Sequence, residues 1–229
     1  MTGTIVNVIA IVAGSLIGVL LNERFPEHIQ KTVMQGLSLA VVLIGLQMAM
    51  GVEGSTGVLI VIFSLVIGGV IGEVLKIEKR LDNFGKNLKK RVGNKNDLFV
   101  QGFVQASLIF CIGAMAIMGA IQDGLNNDPS ILFTKSLLDG VASIAFAATS
   151  GIGVIFSIIP VLIYQGGISL LAAWAADIIT EPVIVEMTAT GGLLILAIGL
   201  NMLGASRIKI GNLLPSIFVA IFLSLIIIA

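Results

Sequence analysis

The sequence predicts an all-α, polytopic membrane protein of about eight transmembrane helices, on three observations. Hydrophobic residues make up 57% of its 229 positions and charged residues 11%, with a mean hydropathy of +1.09. A soluble fold of this length could not bury that much apolar surface. Apolar runs recur, each near the ~20 residues that a membrane-crossing helix requires. Of the thirteen Lys and Arg residues, twelve fall in connectors between those runs.

The runs lie at 5–21, 33–50, 58–75, 99–121, 131–148, 152–174, 187–203 and 210–228. None alternates apolar with polar residues as the strands of a membrane barrel do, so helices are expected. Several are short, which leaves a count of seven open. The start, Met1 to Asn7, has no basic stretch, and no cleaved leader is expected.

The connectors sort by charge. Arg24 and Lys31 follow the first span. Lys76, Lys79, Arg80, Lys86, Lys89, Lys90, Arg91 and Lys95 follow the third, and Arg207 and Lys209 separate the last two. The alternate connectors hold Glu53, Asp123, Asp128, Asp177, Glu181 and Glu186 without a single Lys or Arg. Basic loops stay in the cytoplasm, which predicts a multi-pass protein of the inner (plasma) membrane with both termini outside. The stretch 77–98 is a cytoplasmic amphipathic connector. Ile77, Leu81, Phe84 and Leu88 recur at helical spacing, opposite Lys79, Asp82, Lys86 and Lys90.

Short similarities suggest an internal repeat. Ile44-Gly45-Leu46-Gln47-Met48 in the second span matches Ile198-Gly199-Leu200-Asn201-Met202 in the seventh, 154 residues later. The same offset lays spans one and three onto six and eight. In the topology above the second and seventh spans run in opposite directions, so the repeat is inverted, an architecture common among secondary transporters. The chain then divides into a first repeat (1–76), the connector (77–98), a central helix pair (99–150) and a second repeat (151–229), all within one integral membrane domain.

Ionisable residues within spans are costly and mark function. Lys135 and Asp139 stand four apart on one helix face, within reach of each other. Gly140 beside them allows close approach. A pair that only fixes packing is the plain alternative to a carboxylate that changes partner or protonation during transport. Around the pair we place Gln47 and Asn201, the matched amides of the repeat, with Gln105, Ser107, Ser143, Asn7 and Gln165. Each can hydrogen-bond across helices, a packing contribution of about 0.6–2 kcal/mol, so the weight lies in their number. The sixth span, with Pro160 and then Gln165-Gly166-Gly167, has what a helix interrupted near mid-depth needs, with a proline kink without function as the alternative. Gly14 and Gly18, and Gly68 and Gly72, are spaced for helix packing. Gln122-Asp123-Gly124 reads first as a helix stop and turn, and only second as an entry-site acid.

Other classes are disfavoured. Formal charge is zero and no basic face carries aromatics, so no nucleic-acid partner is expected. Cys111 is the single cysteine and His28 the single histidine, which leaves no metal site. No cofactor or nucleotide loop is indicated. No Ser/His or His/Asp constellation supports an enzyme.

The segment Phe103 to Gly124, with Ser107-Leu108-Ile109-Phe110-Cys111-Ile112-Gly113-Ala114-Met115-Ala116-Ile117, resembles a bacterial and archaeal inner-membrane family known as domain of unknown function 554. Lys135-Ser136-Leu137-Leu138-Asp139-Gly140 and Gly3-Thr4-Ile5-Val6-Asn7 carry the same resemblance, which extends over essentially the whole chain. It implies a polytopic inner-membrane protein, a transport protein by label, and supplies no substrate or site residues. The expected function is transport of a small polar or anionic solute by an ion-coupled or facilitative secondary carrier. An ion channel or a non-transporting scaffold are the alternatives. The lipid bilayer and a small solute or ion are the expected partners, and a homo-oligomer is compatible with the sequence.

Overall fold

The computed structural model describes residues 1–22, 27–52, 54–94, 98–172 and 180–227. Among them there is no strand. The helices are α1 (Thr2–Asn22), α2 (Glu27–Ala49), α3 (Gly54–Leu75), α4 (Ile77–Val92), α5 (Phe99–Cys111), α6 (Ala114–Asn126) and α7 (Ser130–Ser150). A 3-10 segment (Gly151–Ser157) then leads into α8 (Ile158–Leu170), followed by α9 (Glu181–Met202), α10 (Ile210–Leu213) and α11 (Pro215–Ile227). Arg24, Glu53, Lys95 and Asp177, four of the charges that orient the chain, lie outside the described residues.

Among the described residues six helical runs are long and apolar enough to cross a membrane, and a seventh is gained if α5 and α6, bent by 60° at their junction, form one broken span. One of the six, Ser130–Leu170, is 41 residues long. It reverses on itself: Asn7 of α1 hydrogen-bonds both Asp139 in α7 and Gln165 in α8. In an unbroken helix those two residues would stand roughly 39 Å apart. The reversal falls in the 3-10 segment, where Gly151 takes a φ of 76°.

The helix ends depart from the sequence reading in three places. Pro160 sits in the first turn of α8, where a missing N–H leaves no hydrogen bond unmade, and Gln165-Gly166-Gly167 continue the helix without interruption. The break allowed for there is instead at Ile112–Gly113, between α5 and α6. Gln122-Asp123-Gly124 does not stop α6. The helix runs to Asn126 and ends on Asn127 in the left-handed region (φ 52°), which Asn tolerates. Glu186, read as a loop acid, lies inside α9, because Glu181-Pro182 start that helix earlier than the apolar run does.

By its contacts the chain forms two compact units, residues 1–37 with 84–176 and residues 38–83 with 177–229. They interleave along the sequence, whereas the repeat blocks are consecutive.

In the first unit α1 lies along α7 in the same direction. Gly3 abuts Leu132, Gly14 the Gly140 carbonyl and Gly18 the Ile144 carbonyl. A Cβ at Gly14 would stand 2.1 Å from the Gly140 oxygen, so only glycine permits this approach. Phe99, Phe110 and Phe146 fill the interior, with Phe110 and Phe146 edge to face at 6.2 Å.

In the second unit α2 (from Ser38) crosses α9 in the opposite direction. Gly45 meets the Gly192 carbonyl and Leu196 nitrogen, and Gly199 meets the Ser38 carbonyl and Val42. α3 packs antiparallel on the α10–α11 segment, Gly68 on Ser216 and Gly72 on Asn212. Asn212 fastens the start of α4. Its Oδ1 accepts from the Glu78 N–H at 2.8 Å, and its Nδ2 donates to Glu73 at 2.6 Å. The Gly211 N–H donates to Glu78 at 2.6 Å, and Lys209 pairs with Glu73 at 3.1 Å.

Candidate functional site

The first unit gathers four polar side chains from three helices at one level. Lys135 and Asp139 sit one turn apart on α7, and both are buried. The Lys135 ammonium donates to Asp139 Oδ2. Asn7 of α1, fully buried, donates from Nδ2 to the same oxygen at 2.9 Å and to Gln165 Oε1 of α8 at 3.2 Å. Asn7 is therefore the node between the ion pair and the amide of the returning helix.

The local sequence explains this convergence. The glycine contacts between α1 and α7 bring the backbones close enough for the short Asn7 side chain to reach a carboxylate on the next helix. The 3-10 reversal then returns α8 to the same level, so Gln165 arrives beside Asn7.

The arrangement is incomplete as a hydrogen-bond network. Asn7 Oδ1 and Gln165 Nε2 are buried and without a partner among the described residues, as are Gln105 Oε1 and the hydroxyls of Ser143, Thr4 and Ser15. Buried polar atoms rarely stay unmade without a reason. An orphan acceptor and an orphan amide donor beside an ion pair suit a ligand that is itself polar, and Lys135 offers such a ligand a positive charge.

The helix break lies in the same unit as this cluster. Cys111 is the last residue of α5, and both α5 and α6 pack on α7, the helix that carries Lys135 and Asp139. After Cys111, Gly113 turns the chain with a φ of 138°. The broken span thus offers the free carbonyls of one helix end and the free amides of another start, the device by which membrane proteins put backbone polarity at a site.

The remaining predicted residues distribute as follows. Ser143 is in the α1–α7 seam, packed against Gly14. Gln105 is buried on α5. Ser107 is buried but donates to the Phe103 carbonyl of its own helix at 2.5 Å. Gln47 and Asn201 belong to the second unit, not to this cluster. Gln47 is exposed. Asn201 ties the chain that follows α9, donating to the Ile208 carbonyl and accepting from the Ile208 N–H and Ser206 hydroxyl at 2.6–2.9 Å. An Asn at a helix end captures loop backbone in this way, and the sequence match could not tell that role from a mid-span amide.

Two buried acids stand outside the predicted site set. Asp123, 1% exposed, accepts from the Gly3 N–H at 3.0 Å, with the Met1 amino group 3.1 Å from the same oxygen. It satisfies the start of α1, where an acid is favoured by the exposed amides. Glu186, 4% exposed, has no partner for Oε2. The Glu181-Pro182 helix start was the available signal for it. Among the described residues no group of His, Cys, Asp and Glu could hold a metal ion.

The family described as "Protein of unknown function (DUF554)" matches residues 2–225. The chain is 36% identical over 220 residues to the "Uncharacterized membrane protein YdfK" of Bacillus subtilis (strain 168), covering 96% of this chain and 93% of that one. It is 32% identical over 233 residues to the "Uncharacterized protein YqgA" of Escherichia coli (strain K12), covering 97% and 95%. No solved structure matches it. The chain belongs to the DUF554 family of membrane proteins.

Proposed function

We propose that this DUF554 protein is a secondary carrier, not an enzyme, that moves a small polar or anionic solute across the plasma membrane, either coupled to an ion or down the solute's own gradient. The buried Lys135–Asp139 pair, joined through Asn7 to Gln165, is the observation that carries the reading. When a solute anion approaches, Lys135 exchanges Asp139 for it, and Asp139 keeps the Asn7 amide or takes a proton. Asn7 Oδ1 and Gln165 Nε2, both unpartnered, complete the binding groups. The break at Ile112–Gly113, in the same unit, adds backbone polarity.

Packing inside the units supports an inverted repeat and, with it, alternating access. Gly45 meets Gly192 and Leu196, while Gly199 meets Ser38 and Val42. Ser38, Val42 and Gly45 are each 154 residues before Gly192, Leu196 and Gly199. Such reciprocal contacts are what a local two-fold axis produces. The helices run antiparallel, so that axis lies across them. α1 with α8, and α3 with α11, are antiparallel too. Counting the α5–α6 pair as one span and the α7–α8 run as two gives eight crossings, with both termini outside the cytoplasm by the charge of the connectors.

Uptake into proteoliposomes tests the reading. A carrier gives saturable uptake of a small anion with counterflow from preloaded vesicles. Unitary single-channel currents would indicate a pore, and neither flux nor current across a broad solute panel would indicate a scaffold.

A further inference from the structure

We propose that Glu186 binds a monovalent cation, H⁺ or Na⁺, at a site in the second unit separate from the Lys135 cluster. The inference does not depend on which solute, if any, is carried.

Glu186 is the sixth residue of α9, one and a half turns inside a membrane-spanning helix, and only 4% exposed. Its Oε2 has no hydrogen-bond partner among the described residues. Its Oε1 lies against the Cα of Gly57 in the first turn of α3, where a Cβ would come within 2.4 Å of it. The carboxylate therefore occupies space that exists because residue 57 has no side chain.

Among the described residues no cation pairs with it. Ser38–Ala49 of α2, α3, α9 and α11, the membrane helices of this unit, contain no Lys, Arg or His. Their other acids are Glu181, on the exposed start of α9, and Glu73, which Lys209 and Asn212 hold at the far end of α3. Val52 also lies against Gly57, and Glu53, next in the chain, lies outside the described residues. Asp139 differs on this point, since Lys135 neutralises it.

A bare carboxylate at membrane depth is expensive, so such groups occur paired with a cation or with a proton. Oε2 of Glu186, buried and unpartnered, is an acceptor that can take a proton or serve as one of the oxygen ligands of Na⁺. A carrier with a neutralised solute cluster in one unit and an uncompensated acid in the other has separate places for solute and coupling cation.

The test uses full-length protein in lipid nanodiscs and an apolar carbodiimide, which adds to a carboxyl group only when it is protonated. The adduct is located by mass spectrometry of the fragment holding Glu186. In choline chloride the adduct on Glu186 should fall as pH rises, about tenfold per unit above its midpoint. If NaCl in place of choline suppresses labelling at constant pH, the cation is Na⁺ in competition with H⁺. If NaCl has no effect, it is H⁺ alone. Glu186→Gln should abolish the adduct with unchanged elution and unchanged labelling elsewhere. Gly57→Ala, whose methyl group collides with Oε1, should move the pH midpoint. Failure of Glu186 to react at any pH, or labelling indifferent to pH and Na⁺, would overturn the proposal.

Discussion

Asp139 is held by two donors of different kinds, the ammonium of Lys135 and the amide of Asn7. Removing one partner of a buried ion pair is far costlier than replacing both by apolar groups. Asp139→Asn leaves Lys135 uncompensated, and we expect a loss of about 3–5 kcal/mol, roughly 6–20 °C in Tm, by thermal unfolding in micelles. The double change Lys135→Met with Asp139→Leu should recover most of that loss. On the exposed side Asp128 behaves as an ordinary cap. The Ser130 hydroxyl, then its N–H, then the Gln122 amide stabilise the Asp128 carboxylate and hold it below its usual 3.8. A depressed carboxylate contributes stability above its unfolded value and loses it as pH falls through the folded one. Asp128→Asn should therefore remove part of the acid-side fall of Tm below 3.8 and leave Tm at that lower limit little changed. The Lys135–Asp139 contact was legible in the sequence, since four-residue spacing on a helix fixes it. The role of Asn7 as the node was not, because no local pattern tells which neighbour a mid-span amide will meet.

Short irregular segments decide how the helices present these groups. The 3-10 stretch Gly151–Ser157 turns one 41-residue run into two legs, and Gly113 bends α5 against α6. At φ 138° any other residue at position 113 is strained, so Gly113→Ala should cost about 1–3 kcal/mol or straighten the span. Pulsed dipolar spectroscopy between labels on α5 and α6 separates the two outcomes. Gly14→Leu should cost at least as much, because its Cβ alone would collide with the Gly140 carbonyl. The helices themselves were legible from their apolar runs, and Gly14, Gly18, Gly68 and Gly72 from their four-residue spacing. The break was not: Gly113 is one of 27 glycines, and nothing local marks it. The break that Gln165-Gly166-Gly167 would allow does not form, because a proline in a first helical turn removes no bond.

For the protein as a membrane-embedded whole, charge patterning makes the strongest statement. Lys90 on α4 and Asn126 at the end of α6 are both exposed. In a background lacking Cys111, a cysteine at position 90 should react only from the cytoplasm and one at 126 only from outside. Reaction of both from one side would invert the orientation argument. Membership of the DUF554 family and the membrane class followed from composition and motif. Which polar residues share a unit did not, because the units interleave along the chain and Gln47 and Asn201 fall in the other one.

Solute flux in proteoliposomes carrying wild type, Asp139→Asn and the Lys135→Met/Asp139→Leu double variant, with Tm measured on the same preparations, tests the central claim most directly. If Lys135 and Asp139 bind the solute, the double variant is stable, with Tm near wild type, and carries no solute above empty vesicles. A stable double variant with wild-type flux would make the pair a packing element and contradict the account.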